Sequence, residues 1–183
     1  MVYLFLANGF EEIEALCPLD LLRRAGVEVR TVAISTGGLA VTGAHGITVM
    51  ADMAEADFDP HAEAEMLILP GGMPGAANLD ASTAVDAAIA CAVERGSFLS
   101  AICAAPMILG RRGLLAGLEA ICFPGFEDEL KGAELSASRV VRDGRVITAA
   151  GMGVALDFGL ALVAALKGDE AARNLRCAVL ADR

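Results

Sequence analysis

Residues 97–109 have the sequence SFLSAICAAPMIL, in which an apolar, strand-like run passes into a helix-like run around Cys103. A strand that turns directly into a helix displays one side chain at the edge of a sheet. The free N–H groups and the positive dipole end of the helix would face that side chain. Pro106 suits the first turn of such a helix, where its missing N–H is not needed. The pattern therefore predicts a nucleophilic thiol at Cys103 with a pKa below its ordinary value.

Strand and helix patterns alternate along the rest of the chain. Apolar runs typical of strands occupy 2–6, 29–34, 39–41, 47–50, 66–69, 98–102, 120–122, 139–142 and 146–149. Helical patterns occupy 11–25, 84–94, 105–111, 154–166 and 170–180, and Pro18 is expected to kink or split the first of them. This alternation predicts an α/β fold, with a mostly parallel sheet and helices on both of its faces. Residues 1–183 contain no linker or repeat and are expected to form a single domain.

The composition excludes several classes of protein. A net charge of −10 argues against a nucleic-acid-binding protein. No apolar stretch approaches the roughly 18 residues of a membrane span, and the first apolar run has no basic leader before it. We therefore expect a cytoplasmic protein with no membrane association.

The numbers of cysteines and histidines also fit a cytoplasmic protein. Five cysteines, an odd number with no Cys-x-x-Cys pair, indicate reduced thiols, and two histidines make a metal site unexpected. Apart from Cys103, the cysteines lie within helix or strand patterns and are expected to serve packing: Cys17, Cys91, Cys122 and Cys177.

Candidate site residues follow from the loops that leave the carboxyl ends of the strands, where ligands of such folds bind. Gly71 and Gly72 follow the 66–69 strand, and the N–H groups of Gly72 and Ala104 could hold a developing oxyanion. Three acidic residues open the first helix. We expect Glu14 to turn inward, whereas its neighbours at 11 and 12 face solvent at the helix N-terminus.

The same segments carry a family resemblance over essentially the whole chain. It resembles the parkinsonism-associated deglycase branch of the ThiJ/PfpI superfamily in residues 9–14 (GFEEIE), 23–26 (RRAG), 69–72 (LPGG), 101–106 (AICAAP) and 151–153 (GMG). The resemblance implies a flavodoxin-like three-layer sandwich, usually a homodimer. It also implies a nucleophilic Cys103 that accepts a hydrogen bond from a protonated Glu14, with no cofactor and no metal. The implied activities are conversion of methylglyoxal to lactate, removal of early glyoxal adducts, and oxidative-stress sensing.

The chain departs from the family pattern at three positions. Phe123 stands where many members have a histidine near the thiol, which removes a proton carrier. Ala104 stands where the protease-like branch has a histidine, so a Cys–His protease is not expected. His45 lies in a turn where relatives carry an arginine. With Gly71 and Phe123, it is a candidate residue of the pocket.

Three hypotheses remain open on the sequence. The first is a cofactor-independent enzyme that acts on small aldehydes or glycated substrates through Cys103 and Glu14. The second is a redox sensor, or a stress-protective chaperone-like protein, that uses oxidation of Cys103. The third is a family member whose thiol has only a structural role. The first two share a site, and the absence of the histidine slightly favours the second.

Overall fold

Strand β1 (Val2–Ala7) is buried along its whole length because it lies inside a sheet that is covered on both faces. Its odd-numbered residues pack into one hydrophobic core and its even-numbered residues into the other. This two-sided burial explains why the run is continuously apolar instead of alternating. The computed structural model describes residues 1–181, with the same arrangement in β6 (Met66–Leu69) and β7 (Phe98–Ile102).

The remaining strands are β2 (Val29–Ile34), β3 (Ala40–Thr42), β4 (Thr48–Met50), β5 (Met53–Ala54), β8 (Glu119–Ala120), β9 (Glu134–Leu135), β10 (Val140–Asp143) and β11 (Val146–Ala149). The central sheet has the order β10-β11-β7-β6-β1-β2-β5, and every neighbouring pair is parallel except the β10–β11 hairpin. Strands β3 and β4 form a separate antiparallel hairpin, and β8 pairs with β9.

The helices are α1 (Glu12–Arg24), α2 (Gly75–Asp80), α3 (Thr83–Arg95), α4 (Pro106–Arg111), α5 (Ala155–Lys167) and α6 (Asp169–Ala178). Helices α1 and α5 contribute to the core on one face of the sheet, and α2, α3 and α4 contribute to the core on the other. The prediction of an α/β sandwich with a mostly parallel sheet is therefore confirmed.

Helix α1 is not split at Pro18, which was one of the two expectations for this residue, because it runs through Pro18 without a break. Pro18 is buried where α1 crosses α5, and a Cβ atom on Gly159 of α5 would lie only 2.9 Å from the Pro18 Cα atom. Pro18 therefore packs closely against Gly159, where no residue larger than glycine fits without movement. The sequence reading also missed α2 and β5, which are too short to show a periodic pattern.

Candidate active site

Cys103 connects the end of β7 to the turn before α4 in a left-handed backbone conformation with φ of +66°. Its N–H donates to the Ala149 carbonyl at 2.9 Å, and its own carbonyl accepts the Phe123 N–H at 2.8 Å. A non-glycine residue in this conformation is strained by about 1–3 kcal/mol and persists only where its surroundings impose it. The flanking bonds thus fix the half-buried thiol at the carboxyl edge of the sheet.

Glu14 reaches the same edge from the first turn of α1. The Glu11 carboxylate accepts the Glu14 N–H at 2.7 Å and so caps the helix. The Glu14 side chain is buried, and its carboxyl group lies close enough to the Cys103 thiol for each group to shift the pKa of the other. Its Oε2 atom also accepts the Gly71 N–H at 3.0 Å. The helix cap and the Gly71 bond together aim one buried carboxyl group at one sulfur atom.

Two glycines allow the backbone to approach this pair. A Cβ atom on Gly71 would lie 2.5 Å from Glu14 Oε2 and 2.6 Å from the Cys103 Cβ atom, so no larger residue fits without movement. Gly72 has φ of +85°, a conformation that favours glycine. The N–H groups of Gly72 and Ala104 lie near the Cys103 sulfur and act to lower the pKa of the thiol. Four residues that the sequence singled out therefore lie around the thiol: Glu14, Gly71, Gly72 and Ala104.

The pKa values of Glu14 and Cys103 are both raised above their ordinary values. Burial raises the pKa of Glu14 to about 7, although hydrogen bonds from Cys103 and Gly71 oppose the shift. Burial and the Glu14 carboxylate together raise the pKa of Cys103 to about 12, against the opposing N–H groups of Ala104 and Gly72. The predicted lowering of the thiol pKa is therefore not found beside an ionised Glu14. Two acidic groups in contact cannot both ionise cheaply, so the pair carries at most one negative charge near neutral pH.

Glu12 is buried, whereas the sequence suggested that it faces solvent. Its carboxylate accepts the His45 N–H at 2.8 Å, and its other oxygen lies 2.8 Å from His45 Nδ1. Although burial opposes it, these bonds hold the pKa of Glu12 below its ordinary value, and the Glu12 bond raises the pKa of His45. The structure thus places His45 on the outer side of α1, where it fastens the 43–47 loop to the helix.

Glu11, Glu12 and His45 are also the one group of three possible metal ligands within residues 1–181, with ligand atoms less than 4.8 Å apart. Both oxygens of Glu12 already accept bonds from the 43–47 loop, and Glu11 caps α1. The loop attachment and the helix cap therefore account for this group.

Phe123 lies beside the pair with its side chain about half exposed. A Cβ atom on Gly151 would lie 3.2 Å from the Phe123 ring and 3.9 Å from Glu14 Oε1, so the two side chains are separated by little more than this glycine. The backbone of Met152 also lies near Glu14 and acts to lower its pKa. The sequence did not assign Met152 to the site, because any residue type could supply this backbone group.

The matches to known proteins fit this geometry. The model of the DJ-1/PfpI family matches residues 1–165. The chain belongs to the DJ-1/PfpI family. It is 34% identical over 178 residues to the Parkinson disease protein 7 homolog of Danio rerio, and the aligned region covers 96% of this chain and 94% of the relative. It is 33% identical over 151 residues to deglycase TK1284 of Thermococcus kodakarensis, covering 80% and 87% of the two chains.

Solved DJ-1 structures have the same fold. Oxidized DJ-1 of Toxoplasma gondii superposes with a TM-score of 0.93 at 32% identity, over 98% of this chain and 97% of the other. The C103A mutant of the DJ-1 superfamily protein STM1931 of Salmonella typhimurium superposes with a TM-score of 0.91 at 35% identity, with the same coverage. The family and the flavodoxin-like sandwich that the sequence resemblance implied are thereby confirmed. Among residues 1–181, no helix has the length and apolar character needed to cross a bilayer.

Proposed function

We propose that this DJ-1 family protein converts reactive dicarbonyls such as methylglyoxal to hydroxy acids, and acts on their early adducts, without a cofactor. The observation that carries the proposal is the position of Cys103 and the buried Glu14 carboxyl group side by side at Gly71, where one Cβ atom would reach both. A nucleophile in contact with an acid–base group at the carboxyl edge of an α/β sheet is suited to covalent carbonyl chemistry. A relative that is named a deglycase supports the same chemistry.

The first step would be addition of the sulfur to the aldehyde. In the reactive form of the pair, the negative charge lies on the sulfur and the proton lies on Glu14. The thiolate forms a C–S bond with the aldehyde carbon, and the carbonyl electron pair moves to oxygen. Glu14 gives its proton to that oxygen, which yields a hemithioacetal. The N–H groups of Gly72 and Ala104, which meet at the sulfur, would stabilise the charge that develops on the oxygen.

The second step would be an internal proton transfer. The Glu14 carboxylate removes the proton from the hemithioacetal carbon, the hydroxyl proton moves to the neighbouring carbonyl oxygen, and Glu14 returns its proton to the neighbouring carbon. The result is a thioester of lactate on Cys103. Water then cleaves the C–S bond of the thioester, so that the acid leaves and the thiol is restored. One molecule of methylglyoxal and one of water give lactate, and no external oxidant or reductant is consumed.

The proposal is tested by following lactate formation from methylglyoxal with NMR in deuterated water. We expect steady turnover and deuterium at C2 of the lactate, because Glu14 exchanges the abstracted proton with solvent before it returns it. A Cys177→Ser variant, which lacks an exposed thiol of α6, should turn over at the same rate. Absence of lactate from the wild-type protein would overturn the proposed function.

A second candidate function uses the same sulfur as a redox sensor. The residue that favours it is Phe123, which cannot carry a proton where many family members have a histidine. Within residues 1–181, Glu14 is the acid–base side chain that acts on the thiol. Hydrogen peroxide would transfer one oxygen atom to Cys103 and leave water, giving a sulfenic acid, and a second peroxide would give the sulfinic acid. Peptide mass spectrometry should find these oxygens on Cys103 before the exposed Cys177. Preferential oxidation of Cys177 would count against a sensor role.

We also propose that the protein is a cytoplasmic homodimer. Exposed apolar side chains on α1 and the β3–β4 hairpin support the dimer: Ile13 is 49% exposed, Ile47 55% and Met50 67%. Apolar side chains of this size commonly mark a surface that another chain covers. Sedimentation velocity would decide the point, since a species of 18.8 kDa at micromolar concentration would exclude a stable dimer.

A further inference from the structure

An open groove of about 340 Å³ lies between the 150–154 loop and residues 123–124. We call it the distal groove. Its lining includes Phe123, Pro124, Arg139, Ala150, Met152 and Val154. The lining is predominantly apolar, and Phe123 and Met152 remain 48% and 53% exposed within it. The mechanism proposed above uses neither of these side chains, so the groove needs a separate explanation.

The distal groove comes nearest to the Cys103–Glu14 pair at Gly151, which lines the groove and lies next to Glu14. A methyl group at that position would lie 3.2 Å from the Phe123 ring and 3.9 Å from Glu14 Oε1, so any larger residue would fill the space between them. Hydrogen bonds hold Phe123 and Arg139, two residues that line the groove, in place. The Phe123 N–H donates to the Cys103 carbonyl at 2.8 Å, and Arg139 donates to the Gly153 carbonyl at 3.0 Å.

We propose that the distal groove binds the substituent next to the reacting carbonyl and gives the enzyme a preference for 2-oxoaldehydes with an aromatic or branched apolar substituent. The inference rests on the proposed function. A carbonyl carbon bonded to the Cys103 sulfur, with its oxygen facing Glu14, leaves its second substituent near Gly151. A phenyl group there would cover the exposed faces of Phe123 and Met152, whereas the methyl group of methylglyoxal covers little of either. Arg139 at the rim adds a cation that favours an aromatic face.

The test compares kcat/KM for phenylglyoxal and methylglyoxal from initial rates of hydroxy-acid formation. The two aldehydes differ in intrinsic reactivity, so the decisive quantity is the change in the ratio of their constants between variants. We expect Phe123→Ala to lower the phenylglyoxal-to-methylglyoxal ratio about tenfold and Met152→Ala to lower it several-fold. Leu135→Ala on β9, which removes a similarly exposed apolar side chain outside the groove, should leave the ratio unchanged.

The outcomes separate this inference from the function on which it rests. Turnover of methylglyoxal with a ratio that neither Phe123→Ala nor Met152→Ala alters would overturn the groove assignment and leave the proposed function standing. Failure of the wild-type protein to turn over either aldehyde would overturn the proposed function, and the groove assignment with it. A fall in the ratio for both groove variants, but not for Leu135→Ala, would support the inference.

Discussion

Cys103→Ser should lower kcat/KM for methylglyoxal by on the order of 10³-fold or more. The substitution replaces a sulfur atom by an oxygen atom and leaves Glu14 and the N–H groups of Gly72 and Ala104 in place. A serine hydroxyl is far less acidic than a thiol and is not ionised by these neighbours. The covalent hemithioacetal is therefore lost while the pocket keeps its shape. Lactate formation followed by NMR measures the effect.

Two controls make this result specific to the site. Cys177→Ser removes an exposed thiol from α6 and should keep full activity. The free energy of unfolding of Cys103→Ser should stay within about 1 kcal/mol of the wild-type value, because the two side chains are nearly isosteric. A Cys103→Ser protein that keeps a tenth of the wild-type activity would show that this sulfur is not the nucleophile.

Much of the fold and the geometry around Cys103 could be predicted from local sequence. Strands β1, β6 and β7 are buried on both faces, so each is a continuous apolar run. The position of Cys103 was also a local signal, since an apolar strand, one polarisable side chain and a Pro106 helix start follow one another directly. Such signals need no knowledge of what packs against them.

Other features depend on partners that are distant in the chain. Glu12 is buried because the 43–47 loop, 33 residues away, supplies donors for its oxygens. Pro18 remains inside α1 because Gly159 of α5 leaves room for it. Neither partner can be identified from the residues next to Glu12 or Pro18, so local rules predicted neither the burial of Glu12 nor a helix that continues past Pro18.

The thiol pKa was predicted in the wrong direction for a related reason. The sequence suggested that a helix dipole would dominate at Cys103. Helix α4 begins only at Pro106 and has six residues, so its dipole is small, whereas burial and the Glu14 carboxylate act directly on the sulfur. Burial is a property of the whole fold, and neither its extent nor the charge of a distant glutamate can be read from the 97–109 segment.

Glu14→Gln should lower kcat/KM for methylglyoxal by about 10²–10⁴-fold, because the amide can neither give a proton to the hemithioacetal oxygen nor remove one from carbon. The side chain keeps its size and can still contact Gly71 and Cys103. Glu94→Gln, which makes the same change on the exposed face of α3, should have no effect on activity. Equal activities of Glu14→Gln and wild-type protein would remove Glu14 from the mechanism.

The same substitution should change how stability depends on pH. The pKa of Glu14 is raised by burial to about 7 from an unfolded value of 4.5, so the folded state binds this proton more tightly than the unfolded state. The stability that the proton contributes is therefore complete below pH 4.5 and is lost as the pH rises through 7. Between these limits wild-type protein should lose about 3 kcal/mol of unfolding free energy relative to Glu14→Gln. Urea unfolding across this range measures the difference, with Glu94→Gln tracking the wild type. Parallel curves for wild type and Glu14→Gln would mean that Glu14 stays ionised in the folded protein and cannot supply the proton that the first chemical step requires.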